Sequence, residues 1–290
     1  MAADKARWPG SAWRTLPFFL AALAPFGVGT LLAGVSGLPG RPGVAAVGLM
    51  AVGALTAAAF ASREVFAPGA GRCPALGLPA VAAGRLAAMS LALAALMGLL
   101  LQFWWHTGDF TMLLGGLGAL GGYFYFAPPL SWHRRGLGEV AGALCFGLLP
   151  VITGLYLQCG QVLTEALLYG LPLSFNGFNL FLLYGFPGAG SSAPGPGLAG
   201  RWGPVAGALA GTIGNVLTIA GLVFILFFPA AALPLRPALW PLLLLAVVNQ
   251  ELIKRKAYGE EARLGRLCQL TLALQLGMGL IFLLMLWQRL

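Results

Sequence analysis

Charge is what this sequence has least of. Asp, Glu, Lys and Arg together make up 9% of its 290 residues, against 59% hydrophobic. That balance leaves too little polar surface to solvate a soluble globule of this size. Histidine is confined to His106 and His133, too far apart to share a haem or a metal. The four cysteines, Cys73, Cys145, Cys159 and Cys268, show no C-x-x-C and no zinc spacing, so their expected role is packing. No basic stripe sits on a soluble module, so the net charge of +9 is not a nucleic-acid footprint. Carboxylates are also missing from the loop that begins at Phe186-Pro187 and ends before Arg201, which is built from Gly, Ala, Ser and Pro.

What the chain has in quantity is long apolar runs, each near the roughly 20 residues needed to cross a bilayer. Nine spans are expected, at 15–37, 43–61, 86–105, 109–127, 137–157, 162–185, 203–228, 236–250 and 267–287. Helices are the form that satisfies its own backbone at that length, whereas barrel strands are about half as long and alternating. The chain is therefore expected to be all-α, one transmembrane domain over 1–290, with 1–14 as a polar lead-in. The eighth span is the shortest, and Pro234, Pro237 and Pro241 suggest a bent entry. The first apolar segment is too long for a signal-peptide core and is expected to be retained as a helix.

Basic residues set the expected orientation. Lys5, Arg7, Arg14, Arg63, Arg72, Arg85, Arg134, Arg135, Arg201, Lys254, Arg255, Lys256, Arg263 and Arg266 fall on one side, fourteen of the 17, and Arg41, Arg236 and Arg289 on the other. The positive-inside rule then puts the N-terminus in the cytoplasm and the C-terminus outside an inner membrane, as an odd number of spans requires. The basic side also attracts anionic headgroups. Gly118 and Gly122, and Gly203, Gly207 and Gly211, form small-residue faces expected to pack helices of this bundle together. Three loops on the basic side, 62–85, 128–136 and 186–202, are expected to converge over one cavity mouth.

The run Tyr123-Phe124-Tyr125-Phe126-Ala127-Pro128-Pro129, then Arg135-Gly136-Leu137-Gly138-Glu139-Val140, then Phe146-Gly147-Leu148-Leu149-Pro150-Val151 and Gly154 to Gly160, is similar to the middle of UbiA-superfamily intramembrane prenyltransferases, especially their dihydroxynaphthoate prenyltransferase branch. That resemblance is strong over about 123–160 and weaker elsewhere. It implies a nine-helix bundle with two acidic motifs, whose carboxylates hold magnesium and a prenyl diphosphate. Aligned on the first motif, Arg63 falls where an acid is usual and only Glu64 could ligate metal. Aligned on the second, Gly188 and Ser192 occupy the two aspartate positions. Both motifs are degenerate, so no catalytic residue and no cofactor is expected.

What the resemblance leaves is a cavity for an isoprenoid. Tyr123, Tyr125, Glu139, Gly147, Tyr156, Gln158 and Asn215 are candidates for its lining, and Arg63, Arg72, Arg134, Arg135 and Arg201 for contacts to a diphosphate or headgroup. The expected function is a catalytically silent UbiA-like membrane protein that binds a prenylated lipid, quinone or pigment tail, or is an integral subunit of a larger membrane complex. The alternative is an active magnesium-dependent prenyltransferase moving a prenyl group from its diphosphate to an aromatic acceptor in quinone biosynthesis.

Overall fold

The computed structural model describes residues 11–38, 40–68, 76–186, 195, 197–227 and 235–290, with side chains from Thr15 onward. Gly188, Ser192 and Arg72 lie outside them. Among the described residues every regular element is a helix. In chain order they are α1 (Ser11–Val35), α2 (Pro42–Phe66), α3 (Ala80–Leu99), α4 (Thr111–Gly122), α5 (Trp132–Arg135), α6 (Gly138–Cys145), α7 (Leu148–Cys159), α8 (Glu165–Tyr184), α9 (Leu198–Phe227), α10 (Leu239–Lys254) and α11 (Glu261–Trp287). Among the described residues seven helical stretches are long and apolar enough to cross a membrane, α6 and α7 counting as one. The protein is an integral membrane protein. At 12 and 16 residues, α4 and α10 fall short of a full crossing by this measure.

The fifth expected span, 137–157, is not continuous. It breaks at Gly147 (φ −139°, ψ −101°), which separates α6 from α7. In hydrocarbon the freed backbone groups need partners. Ser174 Oγ on α8 accepts from Leu148 N–H at 2.8 Å, and Gln275 Nε2 on α11 donates to the Phe146 carbonyl at 2.7 Å. Gln275 is itself held by Asn176 on α8, whose Nδ2 donates to Gln275 Oε1 at 2.8 Å and to the Thr271 carbonyl at 3.0 Å. Two helices, α8 and α11, thus support one break. The seventh span also differs from expectation, because α9 begins at Leu198 and kinks at Gly203 (φ +87°), just before Pro204.

Glycine sets the closest helix approaches. A Cβ on Gly29 of α1 would lie 1.9 Å from the Val151 carbonyl oxygen on α7, and one on Gly154 of α7 would lie 2.2 Å from the Phe26 carbonyl oxygen on α1. Both positions exclude any larger residue. The largest buried cluster gathers Leu155, Leu173, Leu222, Leu274 and Phe282 from α7, α8, α9 and α11. Of the faces seen in the sequence, Gly118 lies close to Leu55 and Gly207 close to Ala199 and Phe186, whereas Gly203 sits at the kink and a Cβ there would meet nothing within 4 Å.

Candidate functional site

A cavity of about 460 Å³ lies between α1–α4 and α6–α8. Its wall follows α2 from Gly48 to Arg63, a rise of roughly 22 Å at 1.5 Å per residue, so it is long for its volume. Three threonines stand in that wall, and each spends its hydroxyl on backbone or a neighbouring hydroxyl. Thr56 donates to the Val52 carbonyl at 2.8 Å and Thr153 to the Leu149 carbonyl at 2.7 Å. Thr111 contacts the Gly108 carbonyl at 2.9 Å and the Thr107 hydroxyl at 2.7 Å. What faces the space is hydrocarbon. Among the described lining residues Arg63 is the one carrying a charge, and it is 4% exposed. Tyr125 and Phe181 stand in the wall with it.

The face of α4 is cut away to make room. Gly115, Gly118 and Gly122 share that face by helical spacing. A Cβ on Gly118 would come within 3.1 Å of Leu55 and one on Gly122 within 3.8 Å of Ala59, both on α2, whereas one on Gly115 would meet nothing within 4 Å. The helices therefore diverge at Gly115 and the cavity opens there.

Of the residues expected to line the cavity, Tyr125 does so and the others are placed elsewhere. The Tyr123 ring packs edge-on against Phe66 and Phe124, and its carbonyl accepts from Ser62 Oγ at 3.2 Å. Gly147 faces Ser174, where an added Cβ would sit 2.3 Å from the backbone nitrogen, so the position braces the α6–α7 break. The Tyr156 hydroxyl accepts from Phe110 N–H at 3.0 Å, and Gln158 Oε1 from Arg41 N–H at 2.7 Å. These two fasten the loops on the side opposite Arg63. Asn215 donates to the Ala246 carbonyl at 2.9 Å and to Gln250 Oε1 at 3.1 Å, joining α9 to α10.

Glu139 is 2% exposed and has a structural partner that sequence did not show. Its Oε1 accepts from Leu198 N–H at 2.7 Å, at the first turn of α9, while Oε2 has no hydrogen-bond partner. Gly197 precedes this contact with φ +85°, and a Cβ there would lie 2.3 Å from Oε1. Only glycine admits both the backbone angle and the carboxylate. His133, assigned from sequence to a basic loop, is also buried. Its Nδ1 contacts the Tyr125 carbonyl at 2.8 Å and its ring lies over Tyr125, so it fixes the backbone of a cavity-wall residue. Burial pushes the imidazole below its ordinary pKa and Arg134 adds to this, with the Tyr125 carbonyl pulling the other way.

The basic residues divide into two places. Arg63 is at the cavity, 3.7 Å from Glu64. Arg134, Arg135 and Arg201 are exposed and gathered around the turn at Gly136, where Arg201 Nη1 donates to the Arg135 carbonyl.

The residues at the end of α2 do not fit a magnesium pair. Magnesium asks for near-octahedral oxygen donors, including one or two carboxylates. Glu64 Oε1 already accepts from Leu76 N–H at 2.7 Å, and a guanidinium stands beside it. Among the described residues no three His, Cys, Asp or Glu side chains come together.

No family model matches the chain, and no curated protein does. Among solved structures, it is similar to the apo structure of a UbiA homolog from Aeropyrum pernix K1, with a TM-score of 0.65 at 16% identity, over 92% of this chain and 97% of that one. The chain has a UbiA-like fold. On that UbiA-like frame the hydrocarbon cavity lies inside the bundle, and its charged end is marked by Arg63.

Proposed function

We propose that this chain is a catalytically silent UbiA-like membrane protein that holds the tail of an isoprenoid lipid, quinone or pigment in its cavity, with the polar head at Arg63. The observation that carries this is a long hydrocarbon wall ending on a buried guanidinium. An amphiphile with an electron-rich head matches both parts of the site, the apolar wall and the guanidinium at its end. The charge at this end is inverted relative to a metal-binding site. A cation on the wall attracts a carbonyl, phenolate or phosphate directly, and beside Glu64 it works against a second cation. The orientation that goes with this reading has the N-terminus in the cytoplasm, supported by the split of basic residues between the two sides.

Melting of the purified protein tests the reading. A polyprenyl quinone should raise the melting temperature, the same head without its tail should not, and Arg63→Leu should reduce the effect. Transfer of a radiolabelled prenyl group to an aromatic acceptor in the presence of magnesium would overturn the silent assignment. Failure of every tailed compound to stabilise the protein would overturn the cavity assignment.

A further inference from the structure

Arg135 and Arg201 are fixed by backbone carbonyls, with Arg134 exposed beside them, so the three form one cationic surface rather than scattered topogenic charges. Arg135 Nη2 donates to the Pro129 carbonyl at 2.8 Å, and Arg201 Nη1 donates to the Arg135 carbonyl. Gly136 takes φ +74° between them, and a Cβ there would come within 3.2 Å of Arg201 Cδ, so glycine lets the arginine stem lie across the turn. Carbonyl partners fix a guanidinium without neutralising it. Arg63–Glu64, Arg255–Glu251 and Arg263–Glu260 are ion pairs among the described residues, and none of these pairs includes Arg134, Arg135 or Arg201. They therefore present uncompensated positive charge from a pre-organised frame.

The setting is that of a bilayer surface. Trp202 follows Arg201 and is 71% exposed, and Trp132 Nε1 donates to the Leu120 carbonyl at 2.8 Å, the placement of aromatic residues at a headgroup boundary. Beyond the charges, Leu137 just before α6, Val140 on α6 and Val205 on α9 are exposed apolar side chains. A soluble anion matches the charge and makes no use of this apolar surface. A lipid matches both.

We propose that Arg134, Arg135 and Arg201 form a headgroup site for an anionic phospholipid of the adjacent leaflet, whose acyl chains lie against Leu137, Val140 and Val205. This site is separate from the cavity and does not depend on what the cavity holds.

The test is titration of the delipidated full chain in neutral detergent with phosphatidylglycerol or phosphatidylcholine, read by native mass spectrometry and thermal melting. Phosphatidylglycerol should bind as a saturable single equivalent and raise the melting temperature, and phosphatidylcholine should do neither. Replacing all three arginines with glutamine should weaken binding by at least about tenfold, because each cation near a lipid surface is worth on the order of fivefold in affinity. Lys254→Gln, Lys256→Gln and Arg266→Gln together remove the same charge from the same side and should leave binding unchanged. Equal loss in that control, equal binding of phosphatidylcholine, or displacement by inorganic phosphate at equimolar concentration would overturn the proposal. If the triple variant does not fold, Arg134→Gln alone should weaken binding by about fivefold, and unchanged affinity would overturn it in the same way.

Discussion

The carboxylate of Glu139, at the start of α6, accepts a hydrogen bond from Leu198 N–H at 2.7 Å, at the start of α9. Fifty-nine positions of sequence separate the two residues. The contact ties the first turn of one helix to the first turn of another on the side where Arg135 and Arg201 also meet. A carboxylate at a helix N-terminus also suits the helix dipole.

Removing that tie should be measurable as stability. Glu139→Ala leaves the Leu198 donor without its acceptor and is expected to cost about 1 kcal/mol, a fall of a few degrees in melting temperature. Glu139→Gln keeps an acceptor oxygen and should retain most of the stability. Gly197→Ala should cost at least as much as Glu139→Ala, because it is strained at φ +85° and its methyl meets the carboxylate.

The break between α6 and α7 should be sensitive in the same assay. Gln275→Leu strips the Phe146 carbonyl and Asn176 of a partner and is expected to cost about 1–2 kcal/mol. Gly147→Ala places a methyl 2.3 Å from Ser174 and should destabilise by on the order of 2 kcal/mol. Wild-type melting in Gly147→Ala would show that the break is not braced as described.

His133 gives the pH dependence its sign. Burial and Arg134 lower its pKa in the fold, so the folded state resists a proton that the unfolded state accepts near the ordinary value of about 6.5. The stability associated with neutral His133 is complete above that value and is lost as pH falls below it toward the lowered folded pKa. The melting temperature should therefore decline between about pH 7 and pH 5. His133→Asn, which keeps a donor for the Tyr125 carbonyl, should flatten that decline. An identical decline in the variant would assign the effect to another group.

The membrane class, the helical bundle and the UbiA-like frame were legible in sequence because each depends on local properties. Apolar run length reports burial in lipid, and the Tyr123–Gly160 run keeps its motif spacing. The site was less legible because its residue roles depend on neighbours distant in the chain. Glu139 and Gly147 carry no local sign that their partners are Leu198 and Ser174. Asn215, Tyr156 and Gln158 were expected to line the cavity and instead hold Ala246, Phe110 and Arg41, because whether such groups face a cavity or another part of the chain is decided by helix rotation. Thr56 and Thr153 stand in the cavity wall with their hydroxyls bonded to the Val52 and Leu149 carbonyls, a detail that run length alone does not show. Arg63 stood out in sequence for a better reason, since a cation where an acid is usual alters the chemistry wherever the helix turns. The second degenerate pair, Gly188 and Ser192, lies outside the described residues.

Cavity occupancy in the purified protein tests the central claim most directly. Lipids should be extracted from wild type and from Gly115→Phe and quantified by mass spectrometry. Gly115 borders the cavity and an added Cβ there meets nothing within 4 Å, so a larger side chain starts into open space. Wild type should carry about one equivalent of a polyprenyl-tailed molecule, and the variant should fold, melt near wild type and carry far less. A well-folded wild type without any tailed molecule, or equal amounts in both proteins, would contradict the account.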